Sequence, residues 1–122
     1  MMENRAQSMA GRRVLLVEDE YFIADDLVRL FEANGAEVIG PVATVDGALD
    51  LIAATDRLGG AVLDVNLQGE MAYPVADALV ARGVPFVFAT GYDEASIPAS
   101  YAHITRCEKP VDPEKIAQAL LG

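Results

Sequence analysis

Three short stretches constrain what this chain can fold into: RVLLV (residues 13–17), AVLDV (61–65) and PFVFAT (85–90). Apolar residues run through them almost without a polar break. A strand with one wet face alternates apolar and polar residues, whereas a strand covered on both faces reads as a continuous apolar run. The segments between them have helical spacing. Residues 21–34 place Phe22, Ile23, Leu27, Leu30 and Phe31 on one face and stop at Gly35. Residues 45–54 do the same with Val45, Ala48, Leu49 and Ile52, before a turn expected at Gly59-Gly60. Residues 74–81 form a helix with proline in its first turn, closed by Gly83. AEVIG (36–40) reads as a further short strand and HITRC (103–107) as a more polar last one. Residues 93–100 predict a short fourth helix, weakened by Pro98. Asp112-Pro113-Glu114 opens a final helix with an N-cap, a proline at the first position and an acid in the first turn; Ile116, Leu120 and Leu121 supply its apolar face. Strand and helix therefore alternate five times, which predicts an α/β fold: a doubly wound, five-stranded parallel sheet, (βα)5, with helices on both faces.

At 122 residues the chain suits one domain, expected over residues 12–122 with residues 1–11 as a flexible tail. The tail has no apolar core of a secretory signal, and no apolar run approaches the roughly 20 residues needed to span a bilayer. A cytoplasmic location with no membrane partner is expected. Cys107 is the only cysteine and cannot form an internal disulfide, in keeping with a reducing compartment. The formal net charge of −10 argues against nucleic-acid binding, which depends on neutralising phosphates with Lys and Arg. It suits a cation or a basic protein patch.

In open parallel sheets, ligands bind beyond the carboxyl ends of the strands. There the first strand delivers Glu18-Asp19-Glu20, the third Asp64 and then Asn66, the fourth Thr90, and the fifth Glu108-Lys109-Pro110. Glu20 is expected as the N-cap of the first helix. Asp64 lies inside an apolar run, and an unpaired polar group there costs about 2–7 kcal/mol, more for a charge. It needs a cation, a proton or a ligand. Clustered carboxylates without His or Cys select a hard divalent cation, Mg2+ first. A carboxylate can also attack phosphorus, and the transferred phosphoryl group then needs a metal, an ammonium and a hydroxyl donor to spread its charge.

Glu18-Asp19, Asp64, Thr90 and Lys109-Pro110, in this order and spacing, resemble the motifs of the CheY-like receiver domains of two-component response regulators over residues 12–122. The resemblance implies the strand order 2-1-3-4-5. It implies that Asp64 accepts a phosphoryl group from a phosphohistidine of a sensor histidine kinase. Glu18, Asp19, Asp64 and the backbone carbonyl of Asn66 would hold Mg2+. Lys109 would pair with the phosphoryl oxygens, the Lys109–Pro110 bond would be cis, and Thr90 would move to hydrogen-bond the phosphoryl group. The reaction would be self-catalysed phosphotransfer and autodephosphorylation, so the protein would not be an enzyme acting on other substrates. The stretch PFVFATGY is similar to the FATGUY subgroup, partners of HWE-type and related kinases. Because the last expected helix reaches the end of the chain, a stand-alone regulator is expected. Its output would pass through its 4–5 face to a downstream protein or a phosphotransfer protein, as relay, kinase regulator or phosphate sink.

The sequence also departs from that pattern. Arg106 stands three residues before the lysine, where receivers usually carry the aromatic that turns inward as Thr90 moves. Tyr92, beside the small Gly91, is a candidate substitute, and Arg106 is a candidate partner contact. Gln68 stands four residues after Asp64, where proline is frequent. Two other functions compete: a phosphorylation-independent pseudo-receiver that only binds partners, and a Mg2+-dependent phosphatase of haloacid-dehalogenase type. The latter needs an acid two residues after its nucleophile, where this chain has Asn66. His103 and Cys107 read as structural.

Overall fold

A computed structural model describes residues 9–90, 97–109 and 112–121 of the chain. Five parallel strands form one sheet: β1 (Arg13–Val17), β2 (Glu37–Val42), β3 (Leu58–Asp64), β4 (Phe86–Thr90) and β5 (Arg106–Glu108). Their spatial order is β2-β1-β3-β4-β5, the order 2-1-3-4-5. Among the described residues, four α-helices connect or follow them: α1 (Tyr21–Ala33), α2 (Val45–Ala54), α3 (Tyr73–Ala81) and α4 (Pro113–Leu121). Before β5, residues 93–96 of the expected fourth helix lie outside the described residues; of the rest, Ile97 and Pro98 are not helical and Ala99–Tyr101 form a 3-10 turn. Pro98 has extended backbone (ψ 149°), which stops an α-helix from running through it.

The central strands are covered on both faces, as their apolar runs require. Leu15, Val17, Ala61, Leu63 and Phe88 point into one core, closed by α2 and α3 through Ala48, Ile52, Val75 and Leu79. Val14, Leu16, Val62, Val87 and Ala89 point into the other, closed by α1 and α4 through Leu27, Phe31, Ile116 and Leu120. Each large apolar side chain fully buried here contributes roughly 1.5–3 kcal/mol.

Helix ends follow local chemistry. Gly35 (φ 89°) and Gly83 (φ 67°) take the left-handed backbone that closes α1 and α3. Asp112 Oδ1 accepts from the Glu114 N–H at 2.9 Å, the cap expected for α4.

Two boundaries differ from the sequence expectation. Gly59-Gly60 lies within β3 instead of forming a turn. A side chain at Gly60 would meet Leu120 Cδ1 of α4 at 3.0 Å, so the glycine lets α4 close onto the strand. Residues before Arg12 also pack into the fold. Met9 is fully buried in the α1–α4 core, and its N–H donates to the Asn34 carbonyl at 2.9 Å.

A four-ring cluster joins α3, β4 and the 3-10 turn. Tyr101 stacks on Tyr73 (centroids 4.8 Å apart) and meets Phe88 edge-on at 6.3 Å, while Phe86 lies edge-on to Phe88. The Tyr101 hydroxyl donates to Asp77 Oδ1 of α3 at 2.7 Å. Tyr101→Ala is expected to destabilise the fold by about 1–3 kcal/mol through lost ring contacts. Tyr101→Phe removes only an exposed hydrogen bond and should cost about 1 kcal/mol or less. Urea unfolding of the three proteins checks the order.

Candidate functional site

Strand register assembles the site. Val17 of β1 lies opposite Leu63 of β3, so the next residues, Glu18 and Asp64, are neighbours. Asp64 lies opposite Ala89 of β4, which places Thr90 one step beyond. Thr90 lies opposite Glu108 of β5, which places Lys109 at the same edge. The Lys109 N–H donates to the Thr90 carbonyl at 2.8 Å and continues that pairing.

Alternation along the strands then divides the side chains. Glu18 follows Val14 and Leu16, and Asp64 follows Val62, on the α1–α4 face. Thr90 follows Phe88 on the α2–α3 face.

Glu18 and Asp64 are each only 3% exposed. Lys109 Nζ donates to Asp64 Oδ2 at 3.0 Å and lies 3.1 Å from Glu18 Oε1. The other Asp64 oxygen, Oδ1, accepts from the Asn66 N–H at 3.1 Å. Glu20 stands at the N-cap position of α1, but its side chain makes no capping bond; its Oε1 lies 3.8 Å from Lys109 Nζ. The cap expectation for that side chain is therefore corrected: its carboxylate lies toward the Lys109 ammonium instead of the first turn of α1. Oxygen atoms of Glu18, Asp19 and Asp64 all lie within 4.8 Å of one another, a set that could hold a metal ion.

The backbone of Asn66 also faces this set. Residues 66–71 form a small antiparallel hairpin in which Asn66 lies opposite Met71 and Leu67 opposite Glu70. The Ala72 N–H donates to the Val65 carbonyl at 2.8 Å. Antiparallel pairs alternate between bonded and non-bonded. Asn66 therefore belongs to a non-bonded pair, and its N–H and carbonyl both point away from Met71. The N–H already points to Asp64, which puts the carbonyl on the same side.

Electrostatics follow from burial. Burial raises the Glu18 carboxyl from 4.5 to about 7; the charge of Asp64 adds to this and Lys109 opposes it. Burial likewise raises Asp64, against hydrogen bonding and attraction from Lys109. Burial works against the Lys109 ammonium, but its hydrogen bond to Asp64 and the charges of Asp64 and Glu18 raise it overall.

Thr90 is buried beside the site, yet among the described residues its hydroxyl bonds neither Asp64 nor Lys109. Arg106 is exposed on the edge strand β5, opposite Phe88 in register. Gly91, Tyr92 and Pro110 lie outside the described residues, and so do Asp93, Glu94 and the expected cis Lys109–Pro110 bond. The cis peptide described is Gly40–Pro41. Tyr101 was not singled out from the sequence. It is the aromatic packed against Phe88 from the connection before β5, and its signal was only a lone tyrosine in a polar segment.

No family model matches the sequence. Among solved structures, SdrG from Sphingomonas melonis Fr1 is 40% identical, over 90% of this chain and 93% of that one, with a TM-score of 0.80. The chain belongs to the receiver domains of response regulators. A second SdrG structure, described as the BeF3-activated conformation, is 38% identical with a TM-score of 0.74. The receiver domain of the response regulator TorR has the same fold, at 21% identity and a TM-score of 0.74. An uncharacterized transcriptional regulatory protein of Bacillus subtilis, YbdJ, is 28% identical over 112 residues. This receiver spans about half of YbdJ, 48% of its length.

The raised carboxyls set the pH response of the metal-free receiver. Between pH 4.5 and about 7 the unfolded chain ionises Glu18 while the folded one keeps the proton, so the folded state binds more protons there. Stability is then highest at the acid end of this window and falls as pH rises through it, by up to about 3 kcal/mol. Asp64→Asn should raise stability at pH 7.5 by about 1–2 kcal/mol, because the neutral form of Asp64 is the one the fold prefers. Urea unfolding in EDTA at pH 5 and 7.5 measures both.

Proposed function

We propose that this receiver accepts a phosphoryl group on Asp64 from the phosphohistidine of a sensor histidine kinase, in a Mg2+-dependent reaction. The observation that carries it is one buried carboxylate with one oxygen on Lys109 and the other on a backbone N–H, at the mouth of an open cleft of about 450 Å3. Two hydrogen bonds orient the nucleophile, and the cleft admits a phosphorylated donor. An Asp64 oxygen bonds to phosphorus as the phosphorus–nitrogen bond breaks, and the departing imidazole nitrogen keeps the electron pair. The Lys109 ammonium, held charged by its neighbours, faces the negative charge that arrives.

Glu18, Asp19, Asp64 and the Asn66 carbonyl would hold Mg2+, since they offer only oxygen, the donor that a hard cation takes. When bound, the ion supplies positive charge to the carboxylates and to the phosphoryl oxygens. Thr90 lies one residue past the neighbour of Asp64 but on the opposite face, and would cross toward the phosphoryl group to donate its hydroxyl. The BeF3-activated conformation of SdrG supports the same chemistry in this chain. The stretch PFVFATGY supports membership of the FATGUY subgroup and an HWE-type or related kinase as donor. Output through protein contacts on the 4–5 face fits the exposed Arg106 on β5.

Incubation with Mg2+ and acetyl phosphate should add one phosphoryl group by intact mass. The gain should vanish with EDTA and in Asp64→Ala. A wild-type protein that gains nothing, from acetyl phosphate or from its kinase, is instead a phosphorylation-independent binding module. Arg106→Ala should keep the acetyl-phosphate gain and bind the kinase or downstream protein at least several-fold more weakly by calorimetry. Unchanged affinity removes Arg106 from the interface.

A further inference from the structure

The segment after Asp64 is built around a residue that its local geometry disfavours. Gln68 and Gly69 are the two central residues of the hairpin between Leu67 and Glu70, with φ of 55° and 95°. Positive φ at both positions is the mark of a type I′ turn, where Asn, Asp and Gly are strongly preferred. Gly69 meets that demand and Gln68 does not. A non-glycine residue in left-handed backbone brings its Cβ against the following carbonyl oxygen, a steric cost that glycine avoids. Proline, whose φ is locked near −65°, is excluded here.

The turn is well secured without the Gln68 side chain. Asn66 Oδ1 accepts from the Gly69 N–H, and the hairpin pairs hold the rest. Gln68 is exposed and makes no side-chain hydrogen bond among the described residues.

Its position explains the choice of residue better than the turn does. Gln68 lines the cleft shared by Asp64, Asn66 and Lys109. It also lines the adjoining cleft that contains Glu18, Asp19 and Pro41. It therefore stands where the two openings to the acidic site meet. The Asn66 carboxamide oxygen is committed to the turn, so Gln68 brings the available carboxamide to this mouth. A carboxamide is neutral and both donates and accepts, so it can hold a water beside a phosphoryl group without repelling it.

We infer that Gln68 positions the water that hydrolyses phosphorylated Asp64, and so sets how long the phosphorylated state lasts. This rests on Asp64 being the phosphoacceptor. In the step, the water oxygen bonds to phosphorus and the bond from phosphorus to the Asp64 oxygen breaks. The carboxylate leaves with the electron pair. Inorganic phosphate keeps one water proton and solvent takes the other.

The test uses the full chain, loaded with acetyl phosphate and Mg2+, desalted, and followed by intact mass. Gln68→Ala and Gln68→Gly should each lengthen the lifetime of the phosphorylated form about tenfold. Gly relaxes the backbone while Ala does not, so agreement between them assigns the effect to the carboxamide. Gln68→Asn, which tolerates positive φ and keeps a shorter carboxamide, should fall between these variants and wild type. Beryllofluoride affinity in Mg2+, read from amide NMR shifts, should stay within twofold, since no water attacks that complex. A lifetime unchanged or shortened in both the Ala and Gly variants overturns the inference. So does a loss of beryllofluoride affinity that matches the change in lifetime, which makes Gln68 a structural residue only. If wild type takes no phosphoryl group, the phosphoacceptor reading itself fails and this inference fails with it.

Discussion

A carboxylate buried at the end of β3 has to be compensated, and Lys109 does it from 45 residues further along the chain. That single contact ties the third strand to the fifth. It also brings the lysine within 3.1 Å of Glu18 at the end of the first. The compensation is incomplete. One ammonium faces two buried carboxylates, and burial leaves both carboxyls raised despite it. A site left short of positive charge in this way is suited to a further cation. Burial therefore does two things at once: it makes the cluster costly when bare and receptive when a divalent ion is supplied.

The layers around the sheet decide which side chains take part. Glu18, Asp64 and Lys109 share the face covered by α1 and α4, while Thr90 belongs to the face of Phe88, Tyr73 and Tyr101. The acidic cluster and the aromatic cluster thus lie on opposite sides of one sheet, with β4 between them. Thr90 ends that strand, and Phe88, two residues earlier, is the ring that Tyr101 meets. A displacement of Thr90 toward Asp64 would have to pass through a strand whose other contacts are these rings. The same layering accounts for Gly60, where a side chain would hold α4 away from β3.

Much of the site was legible beforehand, because its ingredients are local. A carboxylate within AVLDV, an acid pair after RVLLV and a lysine after the last strand announce themselves by residue type and by the strand ends they follow. At the described end of the expected fourth helix, Pro98 has extended backbone and a 3-10 turn follows it, so no α-helix runs through that position. Gly59-Gly60 misled in the other direction. Two glycines read as a turn when their neighbours are unknown, and as a close approach once Leu120 lies against them. Tyr101 could not be found in this way, because its partners Tyr73, Asp77 and Phe88 come from elements that only the fold brings together.

The sequence by itself determined the alternation of strand and helix, the parallel sheet and the oxygen-only chemistry at its carboxyl edge. Apolar periodicity and residue type are properties of short stretches, and they do not depend on what those stretches touch. Tertiary structure decided the rest. Register brought the Lys109 ammonium within about 3 Å of both Glu18 and Asp64, and burial raised the two carboxyls. A type I′ turn carried Gln68 to the mouth of the site. These are relations among segments distant in sequence, set by strand pairing and close packing, and no single stretch contains them.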